Sequence, residues 1–215
     1  MFSTAFKYFL LGCLLFWIVG AVVLLTIDKG DWVIYLNQHR TVALDYFFKY
    51  WTHLGDGLFV VAFAIVLLFV KYRYSLIFAV TAITQGLVSA LMKRVIFSGH
   101  HRPRKFLAEV YELQFIEGVD VHKNFSFPSG HTMTAFCIGA FLALVVKDKR
   151  LGLLLFVYSI LVGFSRNYLS QHFLEDIYAG SFIGVLITVA CWIPFKRKQA
   201  RGWLDGNLYQ TIVKR

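Results

Sequence analysis

Six apolar runs divide this chain, and between them lie almost all of its charges. The runs cover residues 8–27, 57–70, 75–92, 131–146, 151–165 and 177–195. A backbone in hydrocarbon has no water to bond, so such runs must close their own hydrogen bonds as helices. The first is about one bilayer thickness long as a helix. The expected fold is therefore all-α: a polytopic membrane helical bundle of about six transmembrane helices, forming one integral-membrane domain over residues 1–215. Composition agrees. The chain is 58% hydrophobic and only 16% charged, with 22 Phe, which sets it apart from soluble domains. The net charge of +10 sits between the apolar runs. It reads as a membrane-boundary pattern and not as a nucleic-acid surface. Cys13, Cys137 and Cys191 all lie inside apolar runs. They read as small buried hydrophobes, not as a disulfide or a metal set.

Details of the runs refine this picture. The first has no clean small-residue cleavage site after it and is expected to stay as an uncleaved span. Residues 31–53 mix aromatic and polar side chains, which suits short interfacial helices in a first outer loop. The second run, Gly57–Val70, has only fourteen residues. The basic, aromatic boundary Lys71, Tyr72, Arg73 and Tyr74 favours a span beginning near Leu54 or Asp56. Gln85 and Ser89 in the third run are expected to face the bundle interior. The turns at 71–74 and 147–150 are short and basic, and Lys196, Arg197 and Lys198 open a basic tail. These features hold both termini in the cytoplasm. The longer polar connections then face the opposite side, which in a bacterial inner membrane is the periplasm.

One polar stretch stands out between greasy runs: Ser165-Arg166, then five residues, His172, three residues, Asp176. His172 and Asp176 are four apart, so on a helix they would share a face. A carboxylate that accepts one imidazole proton leaves the other nitrogen nucleophilic. Arg166 offers a planar fork suited to phosphate oxygens. Upstream, Phe127-Pro128-Ser129-Gly130-His131-Thr132 opens the fourth run. Backbone N–H groups at such a helix start favour an anion. Further upstream lie Lys93-Arg94 and Arg102-Pro103.

In this order the three pieces resemble the type 2 phosphatidic acid phosphatase family, kin of the vanadium haloperoxidases. The second and third match residue for residue. The first departs, with eight residues between Lys93 and Arg102 where the family has six. The resemblance implies that His172 is a nucleophile forming a phosphohistidine, oriented by Asp176. His131 would protonate the leaving oxygen and then activate water. Lys93, Arg102, Ser129, Gly130 and Arg166 would hold the phosphoryl oxygens. The implied substrate is a lipid phosphate monoester or pyrophosphate, of phosphatidic acid, phosphatidylglycerophosphate, undecaprenyl pyrophosphate or lipid A type, reached from the bilayer. A lipid phosphotransferase using the same intermediate is the alternative, and an anion transporter is the rival outside enzymes. No cofactor is expected. His100, His101 and His122 could suggest zinc, but no Cys joins them and no i, i+4 His pair exists there. They read as solvated loop histidines, and no metal site is expected.

Overall fold

Each apolar run folds as a helix in the computed structural model, which describes residues 2–197 and 202–213. Lys198, Arg201, Lys214 and Arg215 of the expected basic tail lie outside the described residues. The order is α1 (Thr4–Thr26), α2 (Asp31–Gln38), α3 (Val42–Trp51), α4 (Gly57–Val70), α5 (Tyr72–Leu91), α6 (Pro103–Phe106), α7 (Gly130–Val145), α8 (Lys149–Tyr168), α9 (Leu174–Arg197) and α10 (Leu208–Val213). No strand occurs among the described residues.

Among the described residues, four helical stretches are long and apolar enough to cross a bilayer: Thr4–Thr26, Tyr72–Ile96, Lys149–Tyr168 and Leu174–Phe195. A fifth candidate is the pair Val42–Gly55 and Gly57–Val70, bent by 56°. Gly130–Val145 is apolar but shorter. Its length has a physical reason. Twelve of the sixteen residues of α7 are buried, and α1, α5, α8 and α9 surround it. A helix enclosed by protein need not reach the headgroups at both ends. It is apolar on every face for the same reason.

Helix α7 is the axis of the core. Phe136, Ala140 and Leu144 pack with Phe6, Phe9 and Cys13 of α1 and Val185 of α9. Ile138 and Phe141 pack with Leu67 of α4 and Ile77 and Phe78 of α5. In α9, Gly180 and Gly184 let the backbones approach. A Cβ at Gly184 would stand 2.6 Å from the Met133 carbonyl oxygen, and one at Gly180 2.9 Å from that of Ser129. Such small-residue stripes are how apolar helices pack where no hydrophobic drive separates them from lipid. The outward faces of α1 and α4 expose Leu15, Ile18 and Leu25, and Leu58 and Val66, as a lipid-facing surface should.

Two boundaries differ from the sequence reading. Helix α4 starts at Gly57, because Thr52–Gly55 closes as a 3₁₀ turn and Asp56 takes an extended backbone. The third run continues past Met92 through a π turn, Met92–Ile96, so Lys93 lies on the helix and not in the connection after it. Short helices α2 and α3 do form within residues 31–53. They pack against α8, with Phe48 of α3 buried beside Tyr168 and Leu169.

Candidate active site

The end of α8 brings two of the candidate groups together. Ser170 takes a left-handed backbone, φ 53°. The chain reverses there, and the N–H groups of Gln171 and His172 both donate to the Arg166 carbonyl, at 2.9 and 3.1 Å. This satisfies a terminal carbonyl of the helix and places His172 beside Arg166. The Asn167 side chain completes the turn, donating from Nδ2 to the His172 carbonyl at 2.8 Å.

His172 and Asp176 meet, though not on one helix as the spacing suggested. Helix α9 starts at Leu174, so His172 precedes it. Asp176 sits in the first turn and reaches back to the Phe173 N–H at 2.9 Å, the reciprocal arm of a capping box. The same oxygen, Oδ2, is 3.0 Å from His172 Nδ1. It also accepts from the Ser126 hydroxyl at 2.5 Å. His172 is 1% exposed and Asp176 fully buried. With Nδ1 donating to the carboxylate, Nε2 is left unprotonated. Burial, and then the charges of Arg102, Lys93 and Arg166, push the His172 pKa well below its ordinary 6.5.

That shift makes a prediction about stability. Neutral in the fold, His172 takes a proton in the unfolded chain below about pH 6.5. The stability it supplies is present above that pH and is lost as pH falls. The slope is about 1.4 kcal/mol per pH unit for one such group. Unfolding of the detergent-purified protein, followed at pH 7.5 and 5.5, should show a larger loss for wild type than for His172→Asn. Equal losses would mean that His172 is not held neutral.

Ser129 caps α7. Its Oγ accepts from the Thr132 N–H at 3.4 Å and the Thr132 hydroxyl at 2.9 Å. Its own N–H donates to the Asp176 carbonyl at 3.0 Å. Ser129 is fully buried, so it joins the α7 start to α9 and does not face the cavity as expected. Gly130 and His131 do face it. They share a cavity of about 510 Å³ with Lys93, Arg102, Arg166 and His172. Thus three separate sequence pieces converge at one end of the bundle.

The cations are held differently. Arg102 donates to the Asn124 carbonyl at 3.0 Å and to the Gln171 carbonyl and side-chain oxygen at 3.3 and 3.1 Å. Burial lowers its pKa, against the pull of Asp176. Arg166 donates from Nη1 to Thr52 Oγ1 at 2.6 Å, and its buried Nε has no partner among the described residues. Lys93 Nζ lies 3.3 Å from the Phe125 carbonyl. Arg94 lines only a neighbouring hollow of about 650 Å³. That hollow shares Lys93, Arg102, Gly130 and His131 with the cavity, and continues down α5 past Gln85, Gly86 and Ser89.

His122 lines both spaces, whereas His100 and His101 line neither. Among the described residues, no three His, Cys, Asp or Glu side chains gather as a metal set. Sequence reasoning missed Ser126, Gln171 and Thr52. Ser126 lies two residues before Pro128, and that nearness to the second motif is its signal in the sequence. Thr52 carried no signal.

A family model of the PAP2 superfamily matches residues 73–200, more than half of the chain, and that span holds every candidate residue above except Thr52. The chain belongs to the PAP2 superfamily. Phosphatidylglycerophosphatase B of Bacillus subtilis (strain 168) is 39% identical over 77 residues, 31% of this chain and 38% of that protein. Undecaprenyl-diphosphatase BcrC of the same organism is 26% identical over 135 residues, 60% of this chain and 65% of that one. The chain thus matches less than two thirds of the length of either relative. The crystal structure of the first transmembrane PAP2 type phosphatidylglycerolphosphate phosphatase from Bacillus subtilis aligns with a TM-score of 0.63 at 24% identity. That alignment covers 89% of this chain and 98% of that one. At that coverage the likeness of fold extends into the residues before 73, where the family model is silent.

Proposed function

We propose that this PAP2 member is an integral-membrane lipid phosphatase acting through a phosphohistidine on His172. The observation that carries it is the His172–Asp176 pair, with Nδ1 tied to the carboxylate, opening on a cavity shared with Lys93, Arg102 and Arg166. A phosphoryl group there would meet three cations, which stabilise the charge on its equatorial oxygens. His172 Nε2 attacks phosphorus, the ester P–O bond breaks, and His131 gives its proton to the leaving oxygen. Water, deprotonated by His131, then attacks the same phosphorus. The N–P bond breaks and inorganic phosphate leaves. The side-chain cations supply the positive charge that a metal supplies elsewhere, so the reaction needs none. The hollow along α5 supports a lipid substrate, since a chain could remain against the helices while the phosphate enters.

The names of the relatives point to phosphatidylglycerophosphate and undecaprenyl pyrophosphate as substrates to try. These two, with phosphatidic acid and a lipid A phosphate beside them, should be offered in detergent micelles, with released phosphate measured. At least one should be hydrolysed, and equally well in chelator. No release from any of them would refute the reading; loss in chelator, restored by a divalent ion, would refute metal independence.

We further propose six spans in one domain, with α4 and α7 as the short ones, α2 and α3 at the interface, and both termini cytoplasmic. The convergence of Arg102, His131 and His172 supports the required parity, since one span separates each from the next basic turn. Cysteines at the exposed positions Lys105 and Lys149, in a background without native cysteine, test the direction. In spheroplasts an impermeant thiol reagent should label position 105 and spare 149. The reverse pattern would invert the protein.

A further inference from the structure

We propose that Thr52 is a positioning residue for the Arg166 guanidinium, so that the turn between α3 and α4 forms a fourth segment of the active site. The inference rests on the phosphatase reading for Arg166. It concerns a part of the chain that precedes the family match.

The two arginines of the cavity differ in support. Arg102 is fixed by three hydrogen bonds. Among the described residues, Arg166 makes a single side-chain hydrogen bond, to Thr52 Oγ1 at 2.6 Å. Its Nε is buried and unpartnered, and no carboxylate forms a salt bridge with it among the described residues. A guanidinium has five N–H donors in a rigid plane. One fixed acceptor on Nη1 therefore sets which of the other donors face the cavity. Thr52 and Arg166 are 6% exposed each, so water does not readily replace the bond.

The turn that carries Thr52 is itself anchored. The Thr52 N–H donates to the Phe48 carbonyl. The Tyr158 hydroxyl of α8 donates to the Leu54 carbonyl at 2.8 Å. Gly55 lies against His131, where a Cβ would be 2.9 Å from the His131 carbonyl oxygen. Thr52, His53 and Asp56 all line the cavity with Arg166. The acceptor is thus held relative to both α7 and α8. Its chemistry also fits the task. A neutral hydroxyl orients the guanidinium without cancelling its charge. A carboxylate at this place would compete with the phosphate for the same donors.

The test compares wild type, Thr52→Val and Thr52→Ser, each checked for folding by its melting temperature in detergent. Two quantities are read: kcat/KM on the lipid phosphate that wild type hydrolyses fastest, and the affinity for orthovanadate by calorimetry. Thr52→Val, which keeps shape and removes the acceptor, should lower both by about tenfold or more. Thr52→Ser should return both to within about threefold of wild type. A merely structural role would reduce the yield of folded protein and leave both values per folded molecule unchanged. Wild-type values for Thr52→Val, or equal losses in the Val and Ser variants, would overturn the proposal. If Thr52→Val does not fold, Thr52→Ala against Thr52→Ser decides by the same criteria. Vanadate binding needs no turnover. A wild type that hydrolyses no lipid phosphate would therefore sink the phosphatase reading separately, while the affinities still report on Thr52.

Discussion

Replacing His172 by alanine is expected to cut phosphate release by about four orders of magnitude or more, because no other group can take its place in line with the leaving oxygen. The side chain is buried beside Asp176 and Ser126 and shares the cavity with Arg166. It belongs to neither of the apolar clusters built around α7, so removing it enlarges the cavity and leaves that core in place. The variant should fold, and its loss should appear in kcat. Asp176→Asn should fall less, by about a hundredfold or more, since the amide can no longer fix the imidazole tautomer. That variant also loses a carboxylate that binds Ser126 and the Phe173 N–H. Its melting temperature must accompany the rate. Released inorganic phosphate per folded molecule is the quantity to compare. A folded His172→Ala protein with near-wild-type release would remove His172 from the mechanism.

Arg166→Lys should cost about a hundredfold in kcat/KM, and Arg166→Ala about a thousandfold, of the order seen when one preorganised charge donor is deleted. Lysine keeps the charge but not the plane. Its ammonium cannot accept the fixed direction that Thr52 gives Nη1 and at the same time span two phosphoryl oxygens. The site is buried, so water compensates poorly for what is removed. Steady-state kinetics with melting temperatures would check this. Wild-type kcat/KM in Arg166→Lys would show that a point charge is enough there and that the guanidinium geometry is irrelevant.

Much of this architecture was legible in the residues. Lipid forbids unpaired backbone, so six apolar runs could fold only as helices, and they do. The third motif announced a histidine, a carboxylate and a guanidinium in one short segment, and the structure brings them together with His131 and Arg102. Other features depend on tertiary placement. The bend at Gly57 arises from a 3₁₀ turn that apolar periodicity does not encode. The spacing of His172 and Asp176 pointed to one helix face. Instead the pair straddles the α9 start, because the carboxylate also serves as the helix cap. The motif points Ser129 at the phosphate, yet its side chain closes the α7 N-terminus. Both cases follow from the same rule: short polar side chains at helix starts bond first to their own backbone. Thr52 could not be read at all. It sits 114 residues from Arg166 in the chain, and a threonine beside a tryptophan carries no local signature.

The mechanism stands or falls on a covalent intermediate at His172. Acid-quenching would destroy a phosphohistidine and alkaline quenching preserves it, so the measurement is rapid alkaline quenching with a ³²P-labelled lipid phosphate, followed by peptide mapping. Base-stable, acid-labile label is expected on the peptide that contains His172, formed at least as fast as turnover and absent from His172→Ala. Turnover with no such label, or label carried on another residue, would contradict it.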